Sequence, residues 1–235
     1  MSKARSEGKH SDTFVVIPVY NEGSVVGTVI HKVLKYFENV VCVDDGSKDN
    51  STEVIKKTKA HAVRHPINLG AGAATQTGID FALQNPAIKY FITIDADGQH
   101  DIADAVAMLE QLKKEKLDVV FGSRFLGKVE NIGSFKKQFL KVATLFSGST
   151  TGVKLSDPHI GLRAFNRKFA ENLKITLPGF AHASEVVKRI AEGGYKYSET
   201  PVTVTYSDYS KSKGQSMLNA VNITFDLFVN KASKR

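Results

Sequence analysis

Two aspartates spaced one residue apart, Asp95 and Asp97, close the apolar run in "YFITIDADGQHD" and are followed by Gly98, Gln99, His100 and Asp101. A D-x-D pair at the end of an apolar segment, with a glycine to turn the chain, can aim two hard carboxylate ligands at one divalent ion. Mg2+ and Mn2+ favour such donors and complete their shells with substrate phosphates and water, and Gln99 adds a neutral oxygen. The same spacing also serves a capped turn. Asp101 precedes "IADAVAML" and reads better as a helix N-cap than as a ligand. A second acidic pair, Asp44 and Asp45, ends the run "VVCV" and opens the turn sequence "DDGS". It suits local turn hydrogen bonding, and alternatively a carboxylate accepting from a nucleobase or ribose. "NLGAGAATQTG", residues 68–78, is glycine-rich where a helix should begin. Its N–H groups could approach a phosphate, but the spacing matches neither G-x-G-x-x-G nor the P-loop, and close helix–sheet packing explains it as well.

Positioning these groups falls to an alternating pattern. "TFVVIPV" reads as a buried strand, "GSVVGTVIHKVLKYF" as an amphipathic helix and "VVCVDD" as a second strand with a polar turn behind it. A helix over 51–60, a strand at "AVRH", a helix over 71–84, the strand "YFITID", a helix over 101–115 and the strand "DVVFGS" continue the alternation. Such spacing predicts an α/β fold, a mostly parallel, Rossmann-like sheet with helices on both faces. Ligands of open α/β sheets bind beyond the carboxyl ends of the strands. "PVYNE", "DDGSKDN", "NLGAGAA", "DADGQH" and "GSRF" each follow a strand closely, so they should share one rim.

The 235 residues suffice for one large domain, and 42% hydrophobic with 24% charged residues is ordinary for a soluble globular protein. No window holds the roughly 18 apolar residues of a membrane span, and no signal peptide is expected. The single cysteine, Cys42, lies in an apolar run and reads as a core residue of a protein in a reducing cytoplasm. A net charge of +8 suggests an anionic partner: phosphorylated substrate, anionic membrane or nucleic acid. Zinc-ligand spacing, an RNP-like strand and a helix-turn-helix signal are all missing, so no nucleic-acid partner is expected.

Taken in order, "VVIPVYNE", "VDDGSKDNS", "NLGAGAA", "IDADGQH", "GSRF" and "SDPHIGLRAFNR" resemble the glycosyltransferase family 2 enzymes, across roughly residues 13–206. Within that family the chain looks most like the dolichyl- or polyprenyl-phosphate sugar transferases. The resemblance implies a GT-A fold and a nucleotide-diphosphate sugar donor. It implies that Pro18, Tyr20, Glu22, Asp45, Asn68 and Gly70 border the donor nucleotide, with Asp45 at the base. By the same resemblance Asp95 and Asp97 bind the metal (Mg2+ or Mn2+) and sugar diphosphate, and Gln99 is a further metal ligand. Asp157 matches the acid assigned as catalytic base or acceptor-positioning group, and Arg124 and Arg163 match arginines near the phosphates. Arg163 is taken as catalytic with Asp157, and Arg124 as a contact of donor and acceptor phosphates. An anionic phosphate acceptor would need positioning more than deprotonation by Asp157; a sugar hydroxyl would need a true base, Asp157 or Glu185.

Residues 1–12 are expected to form a flexible tail, 13–216 a single GT-A domain and 217–235 an amphipathic helix with a basic end. "IGSFKKQFLKVATLFSG" puts Phe135, Phe139, Val142, Ala143 and Phe146 on one helical face with Lys136, Lys137 and Lys141 around it, and Met217, Val221, Phe225 and Phe228 form a second stripe. Each fits a core-packed surface helix or a helix in an anionic membrane interface. Lys211 and Lys213, in "YSDYSKSKGQS", fit a solvated loop or a lid that contacts the acceptor phosphate. The expected reaction is therefore metal-dependent, inverting transfer to a polyprenyl (undecaprenyl or dolichyl) phosphate at the cytoplasmic membrane face, with a small membrane-anchoring protein or a second copy of the chain as further partners. The alternatives are a family 2 enzyme extending a cell-wall or surface polysaccharide on a hydroxyl, and a non-catalytic nucleotide-sugar-binding protein; a retired site has no need of so many converging acids.

Overall fold

Alternation along β1 (Thr13–Val19) divides the interior in two. Val15, Ile17 and Val19 point into one apolar cluster and Phe14 and Val16 into the other, as the two-residue repeat of a strand buried on both faces requires. The computed structural model describes residues 9–130, 152–177 and 182–206. The chain continues through α1 (Val26–Val33), β2 (Asn39–Asp44), α2 (Ser51–Lys56), β3 (His61–Arg64), α3 (Ala71–Leu83), β4 (Tyr90–Thr93), α4 (Ile102–Lys114) and β5 (Val119–Glu130). It then passes through β6 (Arg163–Asn166), α5 (Arg167–Asn172), α6 (His182–Gly193) and β7 (Tyr197–Thr205). Helices α1 and α4 cover the first cluster, and α3, α5 and α6 the second.

The seven strands form one sheet in the order β3-β2-β1-β4-β6-β5-β7. Pairings β1–β2, β1–β4, β2–β3 and β5–β7 are parallel, while β6 runs antiparallel to both β4 and β5. The alternating pattern thus yields the mostly parallel sheet with helices on both faces. The β6 strand is an addition that the pattern did not announce. Its four residues, Arg-Ala-Phe-Asn, hold too little apolar periodicity to stand out, and they are placed by wedging between β4 and β5. Chain order reverses around β1, whose neighbours are β2 on one side and β4 on the other. This is a topological switch point, where a crevice opens beyond the strand ends.

Cys42 is fully buried in β2, and loss of water pushes its thiol pKa up, as a core residue requires. Of the expected tail, Asp12 is held by Lys113 Nζ at 3.0 Å and His10 by a hydrogen bond from its N–H to Tyr36 O. The stretches around Phe135 to Phe146 and Met217 to Phe228, together with Lys211 and Lys213, lie outside the described residues.

Candidate active site

Beyond β1 and β2 the polar loops interlock. Asn21 takes a left-handed φ of 55° and receives the Lys48 N–H on its Oδ1 at 2.8 Å, while its own N–H donates to Ser47 Oγ at 2.9 Å. The next two N–H groups, of Glu22 and Gly23, donate to Ser51 Oγ and Asp49 Oδ2. Asp44 and Asp45 then divide their work. Asp44 is buried and closes its own turn, accepting from Ser47 N at 2.8 Å and from the Thr52 hydroxyl. Asp45 reaches across to the glycine-rich loop, accepting from Leu69 N at 2.9 Å, Gly70 N at 2.7 Å and His65 Nδ1 at 2.7 Å. Because Asp45 takes the Nδ1 proton, a neutral His65 presents Nε2 as acceptor to the Thr77 hydroxyl, 3.0 Å away. Asp45 therefore fixes the backbone around Asn68 and Gly70. Tyr20 leaves 42% of its surface open beside this loop pair.

At the end of β4 the D-x-D turns at Gly98, whose φ is +76°. Asp97 Oδ1 accepts from Gln99 N at 3.0 Å, and Asp101 Oδ1 accepts from Ala103 N at 3.0 Å, so Asp101 is the N-cap of α4. Asp95 lies under Gly161: a Cβ there would stand 2.2 Å from both of its carboxylate oxygens. His100 Nε2 sits 3.1 Å from Asp95 Oδ2, and 46% of the Asp95 side chain remains open to solvent. The two acids titrate apart. Lost hydration raises Asp95, but His100, Arg163 and His182 outweigh it and hold the carboxyl below its usual range. For Asp97, lost hydration and then the charge of Asp95 push the pKa up to about 6, with Glu22 adding to the rise. Glu22 thereby belongs electrostatically to the D-x-D, across the β1–β4 switch point. The donor set is two hard carboxylates at a strand end, and among the described residues no group of three or more His, Cys, Asp or Glu converges on an ion. Such a set fits Mg2+ or Mn2+ completed by diphosphate oxygens.

The third group stands on β5, β6 and the loop before β6. Asp157 is 1% exposed, and both its oxygens are bound by Arg124: Nε to Oδ2 at 2.6 Å, Nη2 to Oδ1 at 3.2 Å and the main-chain N to Oδ2 at 3.2 Å. Burial works to lower the Arg124 pKa, but this forked pairing prevails and raises it. Arg163, paired to Thr93 in the β4–β6 ladder, is buried at 3% exposure. Its Nη2 donates to Pro158 O at 3.3 Å and its guanidinium lies 5.5 Å from the Phe121 ring. Burial lowers its pKa to about 10 despite the charges of Asp95 and Asp157. His159 is pushed down to about 4 by burial and by Arg163. Glu185, the other candidate base, accepts from Thr176 N, Thr176 Oγ1 and Leu177 N at 2.6–2.8 Å.

Among the described residues three buried side-chain nitrogens have no hydrogen-bond partner: His100 Nδ1, His159 Nδ1 and Arg163 Nε. All belong to residues around Asp95 and Asp157; Arg163 Nε, which can only donate, is the one that an anionic ligand would complete, whereas a neutral His100 that donates from Nε2 to Asp95 presents Nδ1 as an acceptor. Sequence reasoning gave no role to His100, His159, Gly161 or Glu199. His100 and Gly161 were visible within the quoted "DADGQH" and "SDPHIGLR"; His100 meets Asp95 within its own loop, whereas the contact of Gly161 depends on the end of β4 and the loop before β6 meeting across the sheet.

The family model described as glycosyl transferase family 2 matches residues 14–174. An uncharacterized protein of Methanocaldococcus jannaschii is 33% identical over 96% of this chain and 95% of its own length. The UDP-N-acetylglucosamine–dolichyl-phosphate N-acetylglucosaminyltransferase of Methanococcus voltae is 28% identical over 94% of this chain and 96% of its own. Among solved structures, Mycobacterium tuberculosis glucosyl-3-phosphoglycerate synthase in complex with Mg2+ and UDP superposes with a TM-score of 0.65 at 16% identity, covering 85% of this chain and 72% of that one. The shared fold is GT-A.

Proposed function

The chain belongs to glycosyl transferase family 2, and from that membership we propose that it moves a sugar, with inversion, from a nucleotide-diphosphate donor to the phosphate of a polyprenyl lipid at the cytoplasmic membrane face. The observation that carries this reading is the commitment of both candidate bases. Asp157 is buried in a forked pair with Arg124, and Glu185 is spent on the backbone of Thr176 and Leu177. A sugar hydroxyl needs a group free to take its proton as the bond forms. A phosphate monoester oxygen is already anionic near neutral pH and needs only to be held in line. The dolichyl-phosphate acceptor in the name of the Methanococcus voltae relative supports the same choice.

Each side chain then has a task. Tyr20 offers an open ring to the base, Pro18 and Glu22 flank it, and Asp45 holds the Asn68–Gly70 backbone to the nucleoside end. Asp95 and Asp97, with Gln99, would hold Mg2+ or Mn2+, which when bound neutralises charge developing on the departing nucleotide diphosphate. Arg124, oriented by Asp157, receives the acceptor phosphate, and Arg163 supplies a buried positive field between Asp95 and Asp157.

The test is a donor screen of uridine, guanosine and thymidine diphosphate sugars with Mg2+ or Mn2+, offering polyprenyl phosphate and soluble glycans in parallel. Transfer to the lipid phosphate is expected; transfer to glycans alone would overturn the acceptor assignment, and donor binding without transfer to any acceptor would favour a binding protein.

A further inference from the structure

Behind the Arg124–Asp157 pair stands one carboxylate without an assigned role. Glu199, on β7, accepts from Ser156 N at 2.8 Å, Ser156 Oγ at 2.8 Å and Asp157 N at 3.1 Å, all on Oε1, with Ser156 N also 3.0 Å from Oε2. Ser156 Oγ lies 2.6 Å from Ser123 Oγ, and Ser123 Oγ accepts from Leu126 N at 3.2 Å. The proton directions follow from counting. Ser156 has one hydroxyl proton and gives it to Glu199, so Ser123 must donate to Ser156, and the chain of bonds runs one way toward Glu199. Both ends of the ion pair hang from this chain. Asp157 is held by its own N–H, and Arg124 follows Ser123, which is fully buried. The β5–β7 ladder sets Glu199 opposite Phe121, two residues before Ser123, so the carboxylate reaches the loop from a fixed strand.

We propose that Glu199 is a positioning residue for the transfer reaction: it sets the main-chain height of Asp157, hence the angle at which Arg124 presents its guanidinium to the acceptor phosphate. This rests on the lipid-phosphate reading given above for what Arg124 receives. A carboxylate suits the task because it is all acceptor, and three donors converge on it. Outer partners of metal ligands typically change activity by about 10- to 100-fold when lost, and a loss of that order is expected for a carboxylate that stands one step behind Arg124.

The experiment compares Glu199→Ala, Glu199→Gln and Ser156→Ala with the unaltered chain by three readouts. The Nε–H resonance of Arg124, assigned through Arg124→Lys, is followed by 15N NMR in the substrate-free protein; turnover on polyprenyl phosphate is resolved into kcat and KM; and nucleotide binding with Mn2+ is titrated. Glu199→Ala is expected to speed exchange of the Arg124 Nε–H and to lower kcat by about 10- to 100-fold while nucleotide binding stays within about two-fold. Glu199→Gln, keeping one acceptor oxygen for Ser156 and Asp157, should recover most of the kcat. Ser156→Ala, which keeps both N–H donors, should show a smaller change of the same sign and decides the matter if Glu199→Ala does not fold. An unchanged Arg124 resonance in Glu199→Ala, equal kcat in the Ala and Gln variants, or a parallel loss of nucleotide binding overturns the proposal. The NMR arm needs no substrate, so an unaltered chain that fails to transfer to lipid would remove the reading of function while the Glu199 assignment is still decided.

Discussion

Gly161 has no side chain where Asp95 needs the room, and that contact constrains the site at the residue scale. With both Asp95 oxygens 2.2 Å from an added Cβ, Gly161→Ala must displace either the carboxylate or the loop, and overpacking of this kind costs about 1–3 kcal/mol. We expect the variant to fold, with unchanged circular dichroism, and to bind nucleotide with Mn2+ about 10-fold more weakly or worse by calorimetry; equal affinity would show that Asp95 is not a ligand. His159 gives a second prediction of known sign. The unfolded chain takes up a proton near the ordinary value of 6.5 and the folded one only near 4. Between those values the unfolded state holds more protons, so stability falls as pH falls. Going from pH 7 to pH 5 this one group removes on the order of 2 kcal/mol, a loss that His159→Gln should lack; equal losses in urea titrations of the two proteins would contradict it. Asp95 and Asp97 were legible because carboxylates stand out at the end of an apolar strand, and Asp157, Arg124 and Arg163 because their motifs resemble those of a known family. Gly161, His159 and Glu199 were not, because their importance lies in what faces them from elsewhere in the chain.

The D-x-D loop at the element scale is fixed by its neighbours as much as by its own turn. Thr205 N donates to Gln99 O at 3.0 Å, Thr203 N donates to Asp104 Oδ2 at 2.7 Å, and Tyr206 OH lies 3.4 Å from Arg124 Nη1. The end of β7 thus ties the D-x-D side to the Arg124 side. The acids of "DADGQHD" then separate by experiment. Asp101→Ala removes the α4 N-cap and should lower stability by about 1 kcal/mol in denaturant titration with turnover retained. Asp97→Ala should leave the unfolding midpoint nearly unchanged or raise it, since a carboxylate with a raised pKa is not at ease in the fold, while metal-dependent turnover is lost. A variant pair with those effects exchanged would reverse the assignment. Strand positions were readable from apolar runs: β1, β2, β4 and the first half of β5 fall where the sequence puts them. Direction was not. The hydrophobicity of "RAFN" is compatible with either orientation, and only its wedge between β4 and β5 makes β6 antiparallel and brings Arg163 beside Thr93.

For the whole molecule, the excess of 32 Lys and Arg over 24 Asp and Glu must meet an acceptor that, on our reading, is embedded in an anionic surface. No described helix is long and apolar enough to cross a membrane, so in the described part attachment would be peripheral, through charge and partly buried apolar side chains. These two contributions separate with salt. Attraction to an anionic leaflet is worth about 1 kcal/mol per nearby Lys or Arg and fades as the screening length shortens from about 10 Å at 0.1 M to about 3 Å at 1 M, whereas apolar insertion does not weaken with salt. Sedimentation with anionic vesicles is therefore expected to fall steeply between low and high salt, and neutral vesicles should retain little protein. Replacing Lys136, Lys137 and Lys141 together by Gln should weaken partitioning on the order of 100-fold at low salt, the equivalent of about 1 kcal/mol for each. Activity on a short-chain, water-soluble polyprenyl phosphate should survive in that variant, because Arg124, Asp157, Arg163 and the D-x-D are untouched. If sedimentation is indifferent to both salt and the three lysines, the basic excess serves some other anion, and the lipid must reach the site by another route.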